Sequence, residues 1–359
     1  MNFIDLKAQY HAYKEPIDAQ INEVLSSSEY IGGKVFELES RLADFVGIKH
    51  AIACSSGTDA LLISLMAIGV KPGDEVITTP FTFIATAECI ALLGAIPVFC
   101  DIDERTYNID PKKIPEKITS RTKAIIAVSL FGQIADLENI NKIAQAHDIY
   151  VIEDGAQSFG AKFKDQMSCS MADISTTSFF PAKPLGCYGD GGAIFTNSDS
   201  FAAEIRIILN HGQTEKYVHS RIGINGRLDA LQAGILLAKL DYFQDEILTR
   251  NSIANIYLNN INNGVLPYVA YDNLSVWAQF CIMSPNRDSL MSRCELNKIP
   301  TAIYYPIPLH LQKVFSNLGY KIGDFPVSEA VSKQIFAIPM SPFLTTNDQS
   351  LIIETLNYA

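Results

Sequence analysis

Val151-Ile152-Glu153-Asp154-Gly155-Ala156-Gln157 carries an apolar run into two consecutive acids and then into a glycine turn. Preceded by the helical pattern of residues 137–147, it reads as a short strand fed by a crossover helix. The same alternation extends to both sides. Brief Val- and Ile-rich runs at 51–54, 75–79, 96–101, 123–130, 150–154, 175–180 and 193–196 are separated by helical patterns such as 59–68 and 85–93. This order predicts an α/β domain built on a mostly parallel sheet with helices on its faces. Ligands of such sheets collect beyond the carboxyl ends of the strands, which is where Asp154 falls.

From residue 228 the order changes. A long helical pattern runs past residue 241 towards 261, and extended segments at 275–283 and 299–305 bracket a helix near Leu290. The expectation is a large domain over 1–240 and a smaller α+β domain over 241–359, linked by the long helix. No internal repeat or low-complexity tract interrupts either part.

Bulk properties narrow the function classes. The chain has 359 residues, 48% hydrophobic and 19% charged, which suits a sizeable ordered core. A net charge of −11 argues against nucleic acid or an anionic membrane as partner. A small anionic ligand could still be met by the cations gathered between His211 and Arg227. Seven cysteines, without paired or C-x-x-C spacing, fit reduced thiols in the cytoplasm and supply no metal motif. The first fifteen residues lack the apolar core of a signal peptide, and the apolar stretch at 84–100 is broken by Glu88, Gly94 and Pro97, so no membrane span is expected.

Three elements carry the chemistry. Ser55-Ser56-Gly57-Thr58-Asp59 joins a strand to a helix with small residues whose free N–H groups can hold a phosphate, although a plain N-cap has the same composition. Asp154, at a strand end, needs a cationic partner if buried; the alternative is a cap on the following turn. Ser178-Phe179-Phe180-Pro181-Ala182-Lys183-Pro184-Leu185-Gly186 sets a lysine between an apolar strand and a Gly-rich turn. Partial burial there lowers a lysine's pKa and frees its amine for Schiff-base chemistry. The glycines do not follow the dinucleotide-binding order, which counts against a nicotinamide enzyme.

Taken as an ordered set, these residues resemble the DegT/DnrJ/EryC/StrS sugar aminotransferases, a family of fold-type I pyridoxal-phosphate enzymes. The resemblance runs from Phe3-Ile4-Asp5-Leu6-Lys7 to Ile338-Pro339-Met340 and is most specific at Lys183 and at Glu153-Asp154-Gly155-Ala156-Gln157-Ser158. It implies pyridoxal 5'-phosphate as cofactor, with Lys183 as the cofactor-bearing lysine and proton carrier, and Asp154 as the partner of the pyridinium nitrogen. It implies Gln157 beside the ring hydroxyl and Phe83 stacked on the ring, where relatives have Tyr or Trp. Gly57, Thr58 and Ser178 would hold the phosphate, joined by Asn225 from the neighbouring subunit of a homodimer.

Relatives in this family move an amino group from glutamate to a nucleotide-linked ketosugar. The candidate sugar residues here are His211, Tyr217, His219, Arg227, Tyr304, Tyr305 and His310. The lysine run and Tyr305-Pro306-Ile307-Pro308-Leu309 look most like the subgroup acting at the 3-keto carbon of UDP-2-acetamido-2-deoxy-3-oxo-glucuronic acid, in bacterial surface polysaccharide (O-antigen) synthesis. The alternative is a dTDP-3-keto-6-deoxyhexose; the alternative of another class is a non-catalytic regulatory protein that binds the sugar nucleotide or the cofactor. Sugar dehydratases on this scaffold replace the lysine with histidine, and Lys183 argues against them.

Overall fold

In this computed structural model, which describes residues 1–357, seven strands make the central sheet. They are β1 (His50–Cys54), β2 (Glu75–Thr78), β3 (Ile96–Phe99), β4 (Thr122–Val128), β5 (Tyr150–Asp154), β6 (Ile174–Ser178) and β7 (Gly192–Thr196). Their spatial order is β1-β7-β6-β5-β4-β2-β3. The five from β6 to β3 run parallel, while β7 is antiparallel to both β6 and β1.

Both faces of the sheet are covered, which explains why the strands read as continuous apolar runs. Ile125 and Ala127 of β4 enter one core with Leu38 and Leu42 of α3 (Lys34–Val46), Ile140 of α6 (Leu137–His147) and Leu236 of α8 (Ala230–Asn260). Ala124 and Ile126 enter the other, with Leu61 of α4 (Gly57–Ala67), Cys89 of α5 (Ala85–Leu92) and Ile205 of α7 (Asp199–Ile208). Two N-terminal helices, α1 (Leu6–Ala12) and α2 (Lys14–Ser27), precede α3, and α2 packs along α8.

The expected boundary at residue 240 falls inside α8. The end of that helix contributes Ile253, Ala254 and Tyr257 to a separate C-terminal core. There β8 (Phe280–Met283) pairs antiparallel with β9 (Ile335–Ile338), beside α9 (Arg287–Leu296), α10 (Pro326–Gln334) and α11 (Thr346–Asn357).

Two extended segments come out differently from their expectation. Of 275–283 only the last four residues form a strand. Upstream, Val276 donates to the Gly132 carbonyl at 3.0 Å and Trp277 takes a φ of +50°, so the chain is tied to the large domain rather than to a strand. Residues 299–305 form no strand beyond a single bridge between Ala302 and Ala337. Among the described residues no helix is long and apolar enough to cross a membrane.

Candidate active site

At the carboxyl ends of β5 and β6, Asp154 and the Lys183 of the following loop lie within reach of each other's charge and border the candidate cleft. Asp154 is buried and accepts hydrogen bonds from Thr86 Oγ1 at 2.9 Å and from the Ala156 amide at 3.2 Å. Burial pushes its pKa up, and the Lys183 ammonium is the strongest influence pulling it back. Lys183 shows the reciprocal effect: burial lowers its pKa while Asp154 opposes the shift. Each charge is therefore desolvated and each has the other as its opposite charge.

A cradle forms where α4 begins. Ser56 caps α4 by accepting the Asp59 amide at 3.0 Å, and the first-turn amides of Gly57 and Thr58 have no intrahelical acceptor. A Cβ on Gly57 would stand 2.6 Å from the Ser178 Cβ, and one on Gly192 would stand 2.5 Å from the Ser56 carbonyl oxygen. Only glycine lets the start of β7, the end of β6 and the start of α4 converge this closely.

Across the cleft, Gln157 Oε1 accepts the Phe131 amide at 2.9 Å, and its Nε2 donates to Tyr305 Oη at 3.1 Å. The Tyr305 ring lies 6.4 Å from that of Phe83, which is 56% exposed although its neighbours Phe81 and Thr82 are buried. Tyr305, placed with the sugar residues by the sequence reading, thus joins the Gln157 side of the cleft. Tyr304 packs edge-on against Phe3, at 6.3 Å.

The remaining candidates lie elsewhere. Residues 225–227 run beside the end of β1, with Arg227 bridged to Cys54 and its Nη1 donating to Asn210 Oδ1 at 2.7 Å. Asn225 is exposed. His211, Tyr217 and His219 belong to an exposed hairpin, in which the His219 ring nitrogen Nδ1 meets the His211 carbonyl at 2.9 Å and Tyr217 is 81% exposed. His310 is buried in the C-terminal region, its Nε2 3.1 Å from Glu329 Oε1 and its ring 4.7 Å from Phe325. That pairing turns it towards α10.

Thr86, to which the sequence analysis assigns no role, supplies the hydroxyl on Asp154. Its signal was its place, four positions past Thr82 at the start of α5, where a side chain on one face looks back at the strand ends.

A doubly covered mixed sheet that gathers a desolvated lysine, a carboxylate and the glycine-lined start of a helix at the carboxyl ends of its strands is suited to hold a phosphate-bearing cofactor. Residues 12–357 match the model of the DegT/DnrJ/EryC1/StrS aminotransferase family. The chain is 51% identical to UDP-2-acetamido-2-deoxy-3-oxo-D-glucuronate aminotransferase of Pseudomonas aeruginosa, over 99% of each chain. It is 44% identical to a pleiotropic regulatory protein of Geobacillus stearothermophilus, over 98% of this chain and 96% of the other. The crystal structure of NtdA from Bacillus subtilis with bound cofactor PMP superposes with a TM-score of 0.89 at 32% identity, covering 96% of this chain and 81% of that one. The chain belongs to the DegT/DnrJ/EryC1/StrS aminotransferase family. It is an aminotransferase.

Proposed function

We propose that this enzyme transfers the amino group of glutamate to the 3-keto carbon of UDP-2-acetamido-2-deoxy-3-oxo-glucuronic acid. It works as a cytoplasmic homodimer on the route to an amino sugar of a bacterial surface polysaccharide such as O-antigen. The observation that carries the reading is the facing pair of Lys183 and Asp154, each desolvated and each the other's counter-charge.

The residues fit pyridoxal 5'-phosphate. Asp154 takes one hydroxyl and one amide donor, fewer than a carboxylate accepts, so it would also accept from a cationic ring nitrogen. Phe83 exposes an aromatic face for the ring, and the Gly57–Ser178 contact leaves the first amides of α4 open for a phosphate. When bound, the cofactor supplies an electron sink through which the amino group passes between two carbon skeletons.

The chain's own residues do the rest. Lys183 Nζ, made less basic by burial, takes the proton from the donor carbon and returns it to the acceptor carbon. Asp154 would pair with the ring nitrogen and favour its protonated form. Gln157, fixed by Phe131 and Tyr305, would hold the ring hydroxyl edge. Asn225, reaching from the partner subunit, would complete the phosphate site. The exposed apolar side chains of Tyr217 and Ile222, at 81% and 85%, support this dimer, because a second copy would cover them. Arg227, His211 and His219 supply cations and donors for the anionic sugar nucleotide. The regulatory alternative has no use for a desolvated lysine amine.

The test is an absorption spectrum of the protein loaded with pyridoxal phosphate, followed through additions of glutamate and then of UDP- and dTDP-linked 3-ketosugars. The lysine-bound cofactor band should bleach with glutamate and return with the UDP-uronate. Return with the dTDP-deoxysugar alone would replace the substrate. Failure to form the band in folded protein would overturn the reading at Lys183.

A further inference from the structure

The loop that carries Lys183 is wound tightly on itself. The Lys183 amide donates to the Phe180 carbonyl at 2.8 Å and the Cys187 amide to the Phe179 carbonyl at 2.7 Å. Between them, a Cβ on Gly186 would stand 2.5 Å from the Pro181 carbonyl oxygen and 2.7 Å from that of Phe180. The loop leaves no space for a side chain there, so its path is set by what grips its backbone from outside.

That grip comes from one stripe of α8. Gln232 and Lys239 are seven positions apart and therefore share a helix face. Gln232 Oε1 accepts the Tyr188 amide at 2.9 Å, and its Nε2 donates to the Tyr188 carbonyl at 3.3 Å. Lys239 Nζ donates to the Gly186 carbonyl and lies 5.1 Å from the centre of the Tyr188 ring. Glu246, seven positions further on, accepts from Gln9 Nε2 of α1 at 2.8 Å and is the carboxylate that acts most strongly on Lys239.

Lys239 is 3% exposed, and burial pushes its pKa down to about 8, with Glu246 pulling up and Arg250 opposing. A buried ammonium is a poor device for stability alone, since an apolar side chain of similar volume often holds a fold equally well. What it adds is a strong, directional hydrogen bond to one carbonyl. That carbonyl lies three residues beyond Lys183.

We propose that Lys239 is a positioning residue of the transamination, which holds the Gly186 carbonyl from beneath and so fixes the reach of Lys183 into the cleft. The proposal rests on the reading of Lys183 as the cofactor-bearing lysine. It assigns Lys239 no contact with substrate or cofactor.

The experiment compares wild type with Lys239→Met, which keeps length and removes donor and charge, and with Gln232→Leu, which removes the second grip. In the cofactor-loaded enzyme, Lys239→Met should lower kcat about tenfold or more in both half-reactions, with KM for glutamate within about twofold, because small misplacement of a reacting group is costly. The absorption maximum of the lysine-bound cofactor should move. In the cofactor-free protein, amide hydrogen exchange should speed up over residues 179–188 and stay unchanged in β1 to β5. Gln232→Leu should change the same signals in the same direction and more weakly, and it carries the test alone if Lys239→Met does not fold. Wild-type kcat per loaded site, with unchanged spectrum and exchange, would overturn the proposal. Full activity of a parallel Lys183→Ala variant would instead remove the reading beneath it.

Discussion

Glu153 and Asp154 are neighbours on β5, yet the pleat sends them to opposite faces of the sheet and into opposite surroundings. Glu153 accepts from Ser129 Oγ at 2.9 Å, Ser168 Oγ at 2.8 Å, the Cys169 amide at 2.8 Å and Ser175 Oγ at 3.4 Å. Asp154 has Thr86 Oγ1 and the Ala156 amide, and beyond them Lys183. Burial raises the pKa of both. A buried acid saturated with neutral donors ties loops together. One with fewer donors and a cation nearby is the acid that the proposed reading assigns to the cofactor's ring nitrogen.

The sharpest break of this contrast is at the cation. Lys183→Ala should lower turnover by at least about 10³-fold, since on the proposed reading it removes the nucleophile and the proton carrier together. Circular dichroism should show the fold intact, and near-wild-type turnover would dissolve the distinction between the two acids.

Asp154→Asn should cost about 10²-fold in kcat while raising the melting temperature of the cofactor-free protein by a few degrees at neutral pH. An acid whose folded pKa is raised holds its proton more tightly folded than unfolded. Stability is therefore lost as pH climbs from the ordinary carboxylate value through the raised one, and the whole cost is present above it. Asparagine escapes that cost, so the gap in melting temperature should close in acid. Glu153→Gln should do the reverse, turning an amide donor towards other donors: about 1–3 kcal/mol less stable by denaturant titration, with little change in kcat per folded molecule. If the two variants behaved alike, the faces of β5 would not differ as described.

The cleft also contrasts with the hairpin that holds His211, Tyr217 and His219, which is exposed where the cleft is packed. If the hairpin and Asn225 complete a partner's site, Lys183→Ala and Asn225→Ala protomers should complement each other. Random mixing puts half the protomers into hybrids with one intact site, so about a quarter of wild-type activity should return. No recovery in mixtures shown to contain hybrids would mean that each subunit completes its own site.

The same contrast explains what was legible in the sequence. Ile149 to Ile152 announced itself because a doubly buried strand leaves an apolar run, and β5 and α6 have their expected bounds. Helix α8 was legible from its length, but α8 alone did not reveal that Gln232 and Lys239 face the lysine loop, since that depends on packing. The segment at 275–279 carried strand-like composition, yet its backbone is claimed by Gly132. Strand β9, the partner of β8, gave only four apolar residues after a helix, a signal too short to separate from that helix. Among the site candidates, local sequence placed Asp154 and Lys183 at the sheet edge. It could not tell that Tyr305 would reach Gln157 and His310 would not join them, because one turn of chain decides between cleft and core.

His310 is the smallest of these tests. Its Nε2 lies against Glu329, which also accepts the Gly323 amide at 2.8 Å and so secures the turn before α10. Its ring packs on Phe325. His310→Ala removes a buried ring and leaves Glu329 with one partner fewer, so unfolding should cost about 1–3 kcal/mol less. Because neither ring nitrogen is directed at Gln157, Tyr305 or Lys183 by any hydrogen bond, kcat and KM of the folded enzyme should stay within about twofold, well under the tenfold that one lost charged contact produces. A large rise in KM for the sugar nucleotide, without loss of stability, would return His310 to the substrate side and imply that the segment after Tyr305 rearranges when the sugar binds.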